Sequence, residues 1–232
     1  MKYLVVIPAR GGSKRLPRKN ILELNGKTMI QWTIDFAKSL DWITDIIIST
    51  DSEEIVKTID TQGLLVPWLR PSALATDHAS TAEVCLHAVK WYERNIGLID
   101  AIITLQPTSP FRTIETFERA KNLFETNEPE SVVSILRKEI KIESLLSENS
   151  KLMSISELKE FTLNSELSKI RLFHPSGNLY FTRADNLKIH NSLFSNFTIP
   201  LRSNNGFEEI DIDDEKDFAL AKILASKFSS NR

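Results

Sequence analysis

The sequence has 232 residues, 41% of them hydrophobic and 26% charged, a balance typical of a globular chain with a hydrophobic core. A formal net charge of −2 argues against a protein that binds nucleic acid through its overall charge. The single cysteine, Cys85, excludes an internal disulfide, and its apolar neighbours predict a buried, unreactive thiol. We expect a cytoplasmic protein with no membrane partner, because the N-terminus has too few consecutive apolar residues for a signal peptide or a membrane span.

The predicted secondary structure alternates between buried strands and amphipathic helices. Val- and Ile-rich runs without polar alternation predict strands that are covered on both faces of a sheet, at residues 3–8, 45–50, 99–106 and 131–136. Helices are predicted from about Met29, from Ser80, where Glu83 completes a capping box, and over residues 114–125. This order of elements favours an α/β fold with a doubly wound, mostly parallel sheet.

The second half of the chain begins with a segment of different character. Residues 138–173 are rich in Ser, Glu and Lys and contain no glycine, so they predict either a solvated excursion or an arm that packs on another subunit. Further strands are predicted at 177–182, 197–201 and 208–213, followed by a helix at 214–228.

The segment after the first predicted strand carries the strongest chemical signal. Gly11 and Gly12 are adjacent in a chain with only seven glycines, and such a pair permits positive φ and a close approach of backbone N–H groups to an anion. Five cations surround the pair: Arg10, Lys14, Arg15, Arg18 and Lys19. Because ligands of α/β sheets bind at the carboxyl ends of strands, we predict that this loop binds a triphosphate. The alternative is a solvated basic loop, and the segment does not match the Walker A pattern.

An acidic segment near the C-terminus is the second signal. In a strand, alternation places Asp211 and Asp213 on one face and Ile210 and Ile212 on the other. Two carboxylates beside a triphosphate suit Mg²⁺, which prefers carboxylate and phosphate oxygens. The alternative is helix capping, which explains the acids that follow but leaves Asp211 unexplained.

Several short motifs together make the chain similar to the acylneuraminate cytidylyltransferase (CMP-sialic acid synthetase) family, which includes CMP-legionaminic and CMP-pseudaminic acid synthetases. They occur in the order Arg10-Gly-Gly-Ser-Lys, Pro17-Arg-Lys-Asn20, Ser49-Thr-Asp51, Arg70-Pro71, Ala79-Ser-Thr81, Leu105-Gln-Pro-Thr-Ser-Pro110-Phe-Arg112 and Asp211-Ile-Asp213. The resemblance implies a Rossmann-like nucleotidyltransferase that transfers CMP from CTP to an acidic nine-carbon sugar with Mg²⁺. It also implies a single domain over residues 1–232 and a homodimer in which residues 138–176 form a dimerisation insertion.

The resemblance further implies roles for individual residues. The nucleotide-binding set is Arg10, Gly11, Gly12, Ser13, Lys14, Lys19, Asn20, Arg70, Ala79 and Thr81. The sugar-binding set is Gln106, Lys141, Tyr180 and Phe194, with Lys141 supplied by the neighbouring subunit. Catalysis is expected from Arg10, Lys19 and Asp211, and Mg²⁺ is expected on Asp211 and Asp213.

Structural alternatives stay open for several of these residues. Arg70 could end a strand and Gln106 could bond a loop. Tyr180 could be core packing, and Lys141 could be solvated.

The sequence departs from the family pattern on the sugar side. Sialic-acid members carry an Arg-Pro-Asn-Gly motif where this chain has His174-Pro-Ser176-Gly177, and Arg171 is the nearest candidate for binding a sugar carboxylate. We therefore expect a bacterial relative of sialic acid, such as legionaminic or pseudaminic acid, as the substrate. The alternatives are another acidic sugar such as Kdo, or a non-catalytic nucleotide-binding protein on the same fold.

Overall fold

The computed structural model describes residues 1–137 and 173–230, and all structural statements refer to these residues. Its strands are β1 (Tyr3–Pro8), β2 (Glu23–Leu24), β3 (Lys27–Thr28), β4 (Asp45–Ser49), β5 (Ala101–Thr104), β6 (Ser131–Arg137), β7 (Phe173–Arg183) and β8 (Thr198–Arg202). Its α-helices are α1 (Met29–Lys38), α2 (Glu53–Thr58), α3 (Thr81–Asn95), α4 (Ile114–Thr126), α5 (Ala184–His190) and α6 (Glu215–Ser230).

Six strands form one sheet in the order β4-β1-β5-β7-β6-β8, and β2 and β3 form a separate antiparallel pair. The pairs β1–β4, β1–β5 and β6–β8 are parallel, whereas β7 runs antiparallel to both β5 and β6. The predicted α/β class with a mostly parallel sheet is therefore confirmed. Residues 138–172 of the predicted arm, including Lys141 and Arg171, lie outside the described residues, and residues 173–176 of the predicted insertion belong to β7.

Both faces of the sheet are covered by helices, which explains why the core strands lack polar alternation. Tyr3, Val5 and Ile7 of β1 pack on one side with residues of α1 and α4 such as Ile34 and Phe117. The intervening Leu4 and Val6 face the other side, in a cluster with residues of α3 and α5: Cys85, Ala88, Val89, Tyr92 and Leu187. The Cys85 thiol is fully buried, as predicted, and burial raises its pKa to about 12. Within the described ranges, no helix combines the length and the apolar character that crossing a bilayer requires.

The start of α3 follows the capping signal in the sequence. The Glu83 N–H donates to Ser80 Oγ at 3.2 Å, and the Ser80 N–H donates back to Glu83 Oε2 at 2.7 Å. This reciprocal pair satisfies two helix-end donors, and the predicted capping box is confirmed. Two short helices, α2 and α5, were not predicted, because six or seven residues are too few to display a helical period.

The predicted strand at 208–213 is wrong. A 3₁₀ turn covers Gly206–Glu209, and the following residues carry no strand ladder. Ile212 is fully buried, and its N–H donates to the Thr108 carbonyl at 2.8 Å. The alternation of acidic and apolar residues therefore arises because the side chain of Ile212 enters the core between two aspartates. It does not indicate a strand, because a strand also needs a neighbouring strand with which to pair.

The sheet order determines where a ligand site forms. After β1 the chain passes through α1 to β4, which lies towards one edge of the sheet. After β5 it passes through α4 to β6, which lies towards the opposite edge. The carboxyl ends of neighbouring β1 and β5 are thus a switch point, at which departing chains leave a crevice.

Candidate functional site

A cleft of about 490 Å³ opens at these carboxyl ends, a volume within the usual range for small-molecule sites. Predicted nucleotide-binding residues line it: Arg10, Ser13, Lys14, Lys19, Asn20, Arg70, Ala79 and Thr81. Gln106 and Asp213 also belong to the wall. The fold therefore brings together the loop after β1, the segment before α3 and the loop after β5.

Hydrogen bonds join the two ends of the loop after β1 to each other and join this loop to the loop after β4. Asn20 Nδ2 donates to the Arg10 carbonyl at 2.8 Å, which joins the two ends of the basic segment. The Gly11 N–H donates to Asp51 Oδ1 at 2.9 Å. Asn20 is nearly buried, so its amide is positioned by the loop itself.

The expected positive φ at the glycine pair is not observed. The glycines with positive φ are elsewhere among the described residues, at Gly26, Gly63, Gly97 and Gly177. Gly11 is instead required by close packing, since a Cβ there would lie 2.9 Å from Ser52 Cβ. A Cβ on Gly12 would meet open space, and neither glycine belongs to the cleft wall.

Two cations of the loop are paired across the cleft with Asp77. Arg10 Nη1 lies 2.7 Å from Asp77 Oδ1, and Lys14 Nζ lies 2.5 Å from Asp77 Oδ2. Hydrogen bonds from Lys14 and Arg10 lower the pKa of Asp77 below its ordinary value, so its carboxylate is charged at neutral pH. Sequence reasoning missed this residue, although Asp77 is the only acid between Asp60 and Glu83.

The acidic pair lies beside Lys19. Asp213 accepts from Lys19 Nζ at 3.0 Å and from Arg15 Nη2 at 2.7 Å. Burial opposes the charge of Asp213, but the hydrogen bond and charge of Lys19 outweigh it and lower the pKa. For Asp211, burial dominates and raises the pKa, with a contribution from the charge of Asp213.

The two carboxylates fit a divalent cation. Asp211 Oδ1 is buried and has no hydrogen-bond partner, which is costly for a carboxylate unless a cation or water satisfies it. Asp213 contributes a second carboxylate that interacts with the first. Among the described residues, no group of three or more His, Cys, Asp or Glu side chains is arranged to hold a metal ion, so a bound Mg²⁺ would need ligands from substrate or water.

Arg70 provides further donors to the cleft. The residue is only 6% exposed, and its Nε and Nη2 atoms have no hydrogen-bond partner. Its Nη1 donates to the Leu74 carbonyl at 3.4 Å, and Nη2 lies 3.9 Å from Asp51 Oδ1. Burial lowers the pKa of Arg70. Buried donors without acceptors are suited to hydrogen-bond acceptors on a ligand.

The predicted sugar-binding residues are only partly brought together. Gln106 lines the cleft, and its Oε1 lies 3.1 Å from where a Cβ on Gly177 would be. Tyr180 is 8% exposed and packs edge-to-face on Phe194, with ring centroids 5.8 Å apart. Neither aromatic residue belongs to the cleft wall, and Lys141 lies outside the described residues.

Comparison with known proteins identifies the family. The sequence model of the family described as Cytidylyltransferase matches residues 4–224. The chain belongs to this family. The CMP-N,N'-diacetyllegionaminic acid synthase of Legionella pneumophila is 34% identical, covering 97% of this chain and 96% of its own. The pseudaminic acid cytidylyltransferase of Campylobacter jejuni is 29% identical, with coverage of 97% and 96%.

A solved structure supports the same fold assignment for this cytidylyltransferase. The structure of CMP:2-keto-3-deoxy-manno-octonic acid synthetase complexed with CTP superposes with a TM-score of 0.68. The alignment covers 98% of this chain and 99% of that chain at 17% identity, so it shows the fold alone. The motif-based resemblance is confirmed at the level of the family.

Arg112 does not line the cleft of the cytidylyltransferase, but it is hydrogen-bonded to Gln106, which does. It is fully buried and donates to the Gln106 carbonyl at 2.7 Å, the Asn178 carbonyl at 3.1 Å and Thr33 Oγ1 at 3.1 Å. Burial lowers its pKa to about 9, opposed by the charges of Glu208 and Asp211. Sequence reasoning included Arg112 in a motif without a role, because two of its partners, Thr33 and Asn178, come from distant segments.

Proposed function

We propose that this cytidylyltransferase transfers CMP from CTP to the anomeric hydroxyl of a sialic-acid-like nonulosonic acid and releases pyrophosphate. The observation that carries the proposal is the polarity of the cleft. Arg10, Lys14 and Lys19 of the loop after β1 line it, and Arg70, from a different segment, offers nearly buried donors that have no hydrogen-bond partner. The names of the Legionella and Campylobacter relatives support a nonulosonic acid as the acceptor.

In this proposal the base and the triphosphate occupy different walls. Cytosine presents a ring nitrogen and a carbonyl oxygen as acceptors, and the free donors of Arg70 match them, with the backbone of Ala79 and Thr81 beside them. The triphosphate, which carries several negative charges, lies against Arg10 and Lys14. Both contacts are electrostatic and directional, so they orient the nucleotide before reaction.

The reaction needs positioning more than covalent chemistry from the protein. The anomeric hydroxyl oxygen attacks the α-phosphorus, and the bond from that phosphorus to the oxygen that bridges the α- and β-phosphates breaks. Pyrophosphate leaves with that oxygen, and the proton of the hydroxyl group passes to solvent. Negative charge develops on the phosphoryl and pyrophosphate oxygens, and Lys19, Arg10 and Lys14 offset it. Asp211 and Asp213 would hold Mg²⁺, which, when bound, neutralises phosphate charge and increases the electrophilicity of phosphorus.

The sugar side has one informative departure from the family motif. Ser176 is buried, and its hydroxyl donates to Ser134 Oγ at 2.6 Å inside the sheet. A side chain engaged in this way offers no free polar group to a sugar. This supports an acceptor whose recognition depends on other residues, such as Gln106, and therefore a relative of N-acetylneuraminic acid rather than that sugar itself.

A pyrophosphate-release assay tests the proposal. ATP, GTP, UTP and CTP are each combined with N,N'-diacetyllegionaminic acid, pseudaminic acid, N-acetylneuraminic acid and Kdo in the presence of Mg²⁺. We expect release with CTP alone and with a bacterial nine-carbon acid as the preferred acceptor. Activity with Kdo only would replace the sugar assignment, and no release with any acid would favour the non-catalytic alternative.

We also propose that the active species is a homodimer in which Lys141 of one subunit completes the sugar pocket of the other. Exchange of subunits between Lys141→Ala and Lys19→Ala variants tests this. In an equal mixture about half of the dimers are hybrids, and each hybrid has one site with both lysines, so recovery should approach about a quarter of the wild-type rate. No recovery despite demonstrated hybrids would mean that Lys141 acts in its own subunit or has no role.

A further inference from the structure

Asp77 is held between two cations that the proposed function assigns to the triphosphate. Each of its carboxylate oxygens serves one of them: Oδ1 lies 2.7 Å from Arg10 Nη1, and Oδ2 lies 2.5 Å from Lys14 Nζ. All three side chains line the same cleft. The acid and the cations come from different segments of the chain, since Asp77 lies between Ser72–Leu74 and α3, whereas the cations belong to the loop after β1.

A bound phosphate group and the observed Asp77 carboxylate would compete for the same donors. Two anions on one pair of cations would lie only a few ångströms apart, where like charges repel appreciably even near a protein surface. The Asp77 side chain is 39% exposed, so it has solvent beside it into which it can move. Its ion pairs are solvent-accessible, and such pairs are weak enough for a highly charged ligand to displace them.

We propose that Asp77 is an internal counter-ion of the phosphate subsite, which neutralises Arg10 and Lys14 until a phosphate displaces it. The residue thereby weakens the binding of every ligand that reaches these cations. It also assists the departure of pyrophosphate, because its carboxylate pairs with the cations again as the product leaves. The proposal rests on the proposed function only through the assignment of Arg10 and Lys14 to phosphate.

Direct binding measurements test this without turnover. Inorganic pyrophosphate is titrated calorimetrically into the wild-type chain, Asp77→Asn and Asp77→Ala, without Mg²⁺ and without sugar, and cytidine is titrated in parallel. We expect both Asp77 variants to bind pyrophosphate about threefold to tenfold more tightly, the scale of losing a weak competing ion pair. Cytidine should bind all three proteins equally, because it has no phosphate.

Asp35→Asn is the charge-matched control. Asp35 pairs with Lys27 outside the cleft, and its replacement changes the net charge by the same amount. Pyrophosphate affinity in this variant should equal that of the wild type, and tightening equal to that of Asp77→Asn would overturn the proposal in favour of a general charge effect. Thermal melting of each variant verifies that it is folded.

Other outcomes also decide the question. Unchanged or weaker pyrophosphate binding in the Asp77 variants would overturn the proposal and make Asp77 a residue that aligns the two cations. The absence of pyrophosphate binding in all variants would overturn it as well. A different outcome separates the two proposals. If the Asp77 variants bind pyrophosphate more tightly but the wild-type protein turns over no nonulosonic acid, the role of Asp77 is supported and the proposed function is contradicted.

Discussion

Replacement of Asp211 by Asn is expected to lower kcat for CMP transfer by about a thousandfold or more, while the fold is retained. The substitution removes the charge of a carboxylate whose buried Oδ1 atom has no hydrogen-bond partner and which we assign to Mg²⁺. The amide is nearly the same size as the carboxylate, so the fold around this position should be preserved. Pyrophosphate release at saturating CTP and sugar measures the effect, and a Mg²⁺ titration should show weakened activation by the metal.

Asp214→Asn is the matched control for this prediction. Asp214 is partly exposed and caps α6, accepting from the Lys216 N–H at 2.8 Å and from the Asp217 N–H at 3.0 Å. Asn is an equally good cap, so kcat should stay within about twofold of the wild type. Equal kinetic damage in both variants would contradict the assignment of Asp211 to the metal.

Replacement of Lys19 by Ala is expected to lower kcat/KM by about 10²–10³, the usual scale for removing one donor that stabilises developing charge. The Lys19 side chain is only 14% exposed and is held by Asp213, so its ammonium group is positioned at the cleft before substrate binds. Steady-state kinetics with CTP measures the loss. Lys27→Ala, which removes a lysine outside the cleft, should have nearly wild-type kinetics.

A second measurement separates two roles of Lys19. If the lysine acted only by holding Asp213, raising the Mg²⁺ concentration would restore most of the activity of the variant. If it offsets charge on the leaving pyrophosphate, as we propose, the loss persists at saturating Mg²⁺. Near wild-type turnover in Lys19→Ala would remove the residue from the mechanism altogether.

Much of the fold could be predicted because its signals are local. Apolar runs of the right length predicted the core strands, and the Ser80–Glu83 pair predicted the start of α3. The strand predicted at 208–213 failed for the opposite reason. Alternation is also local, but a strand exists only where another strand pairs with it, and here Ile212 meets a loop carbonyl instead.

The candidate site divides in the same way. Its composition could be predicted, since cations beside a glycine pair after a first strand and two nearby acids are visible in the chain. The reason for Gly11 could not be predicted, because the atom that excludes a side chain there belongs to Ser52 of a different loop. The burial of Arg112 was equally invisible, since two of its three partners, Thr33 and Asn178, are distant in sequence.

By itself, then, the sequence determined which chemical groups are available and where the core strands and the longer helices form, because these properties depend on residue types and short-range spacing. Only the tertiary structure decided which groups meet. The order β4-β1-β5 places the carboxyl ends of β1 and β5 side by side, and this brings the basic loop close to the segment before α3. The pairing of Asp77 with Arg10 and Lys14 follows from that juxtaposition. No local sequence pattern predicts this contact, because several strands and two α-helices separate Asp77 from the two cations along the chain.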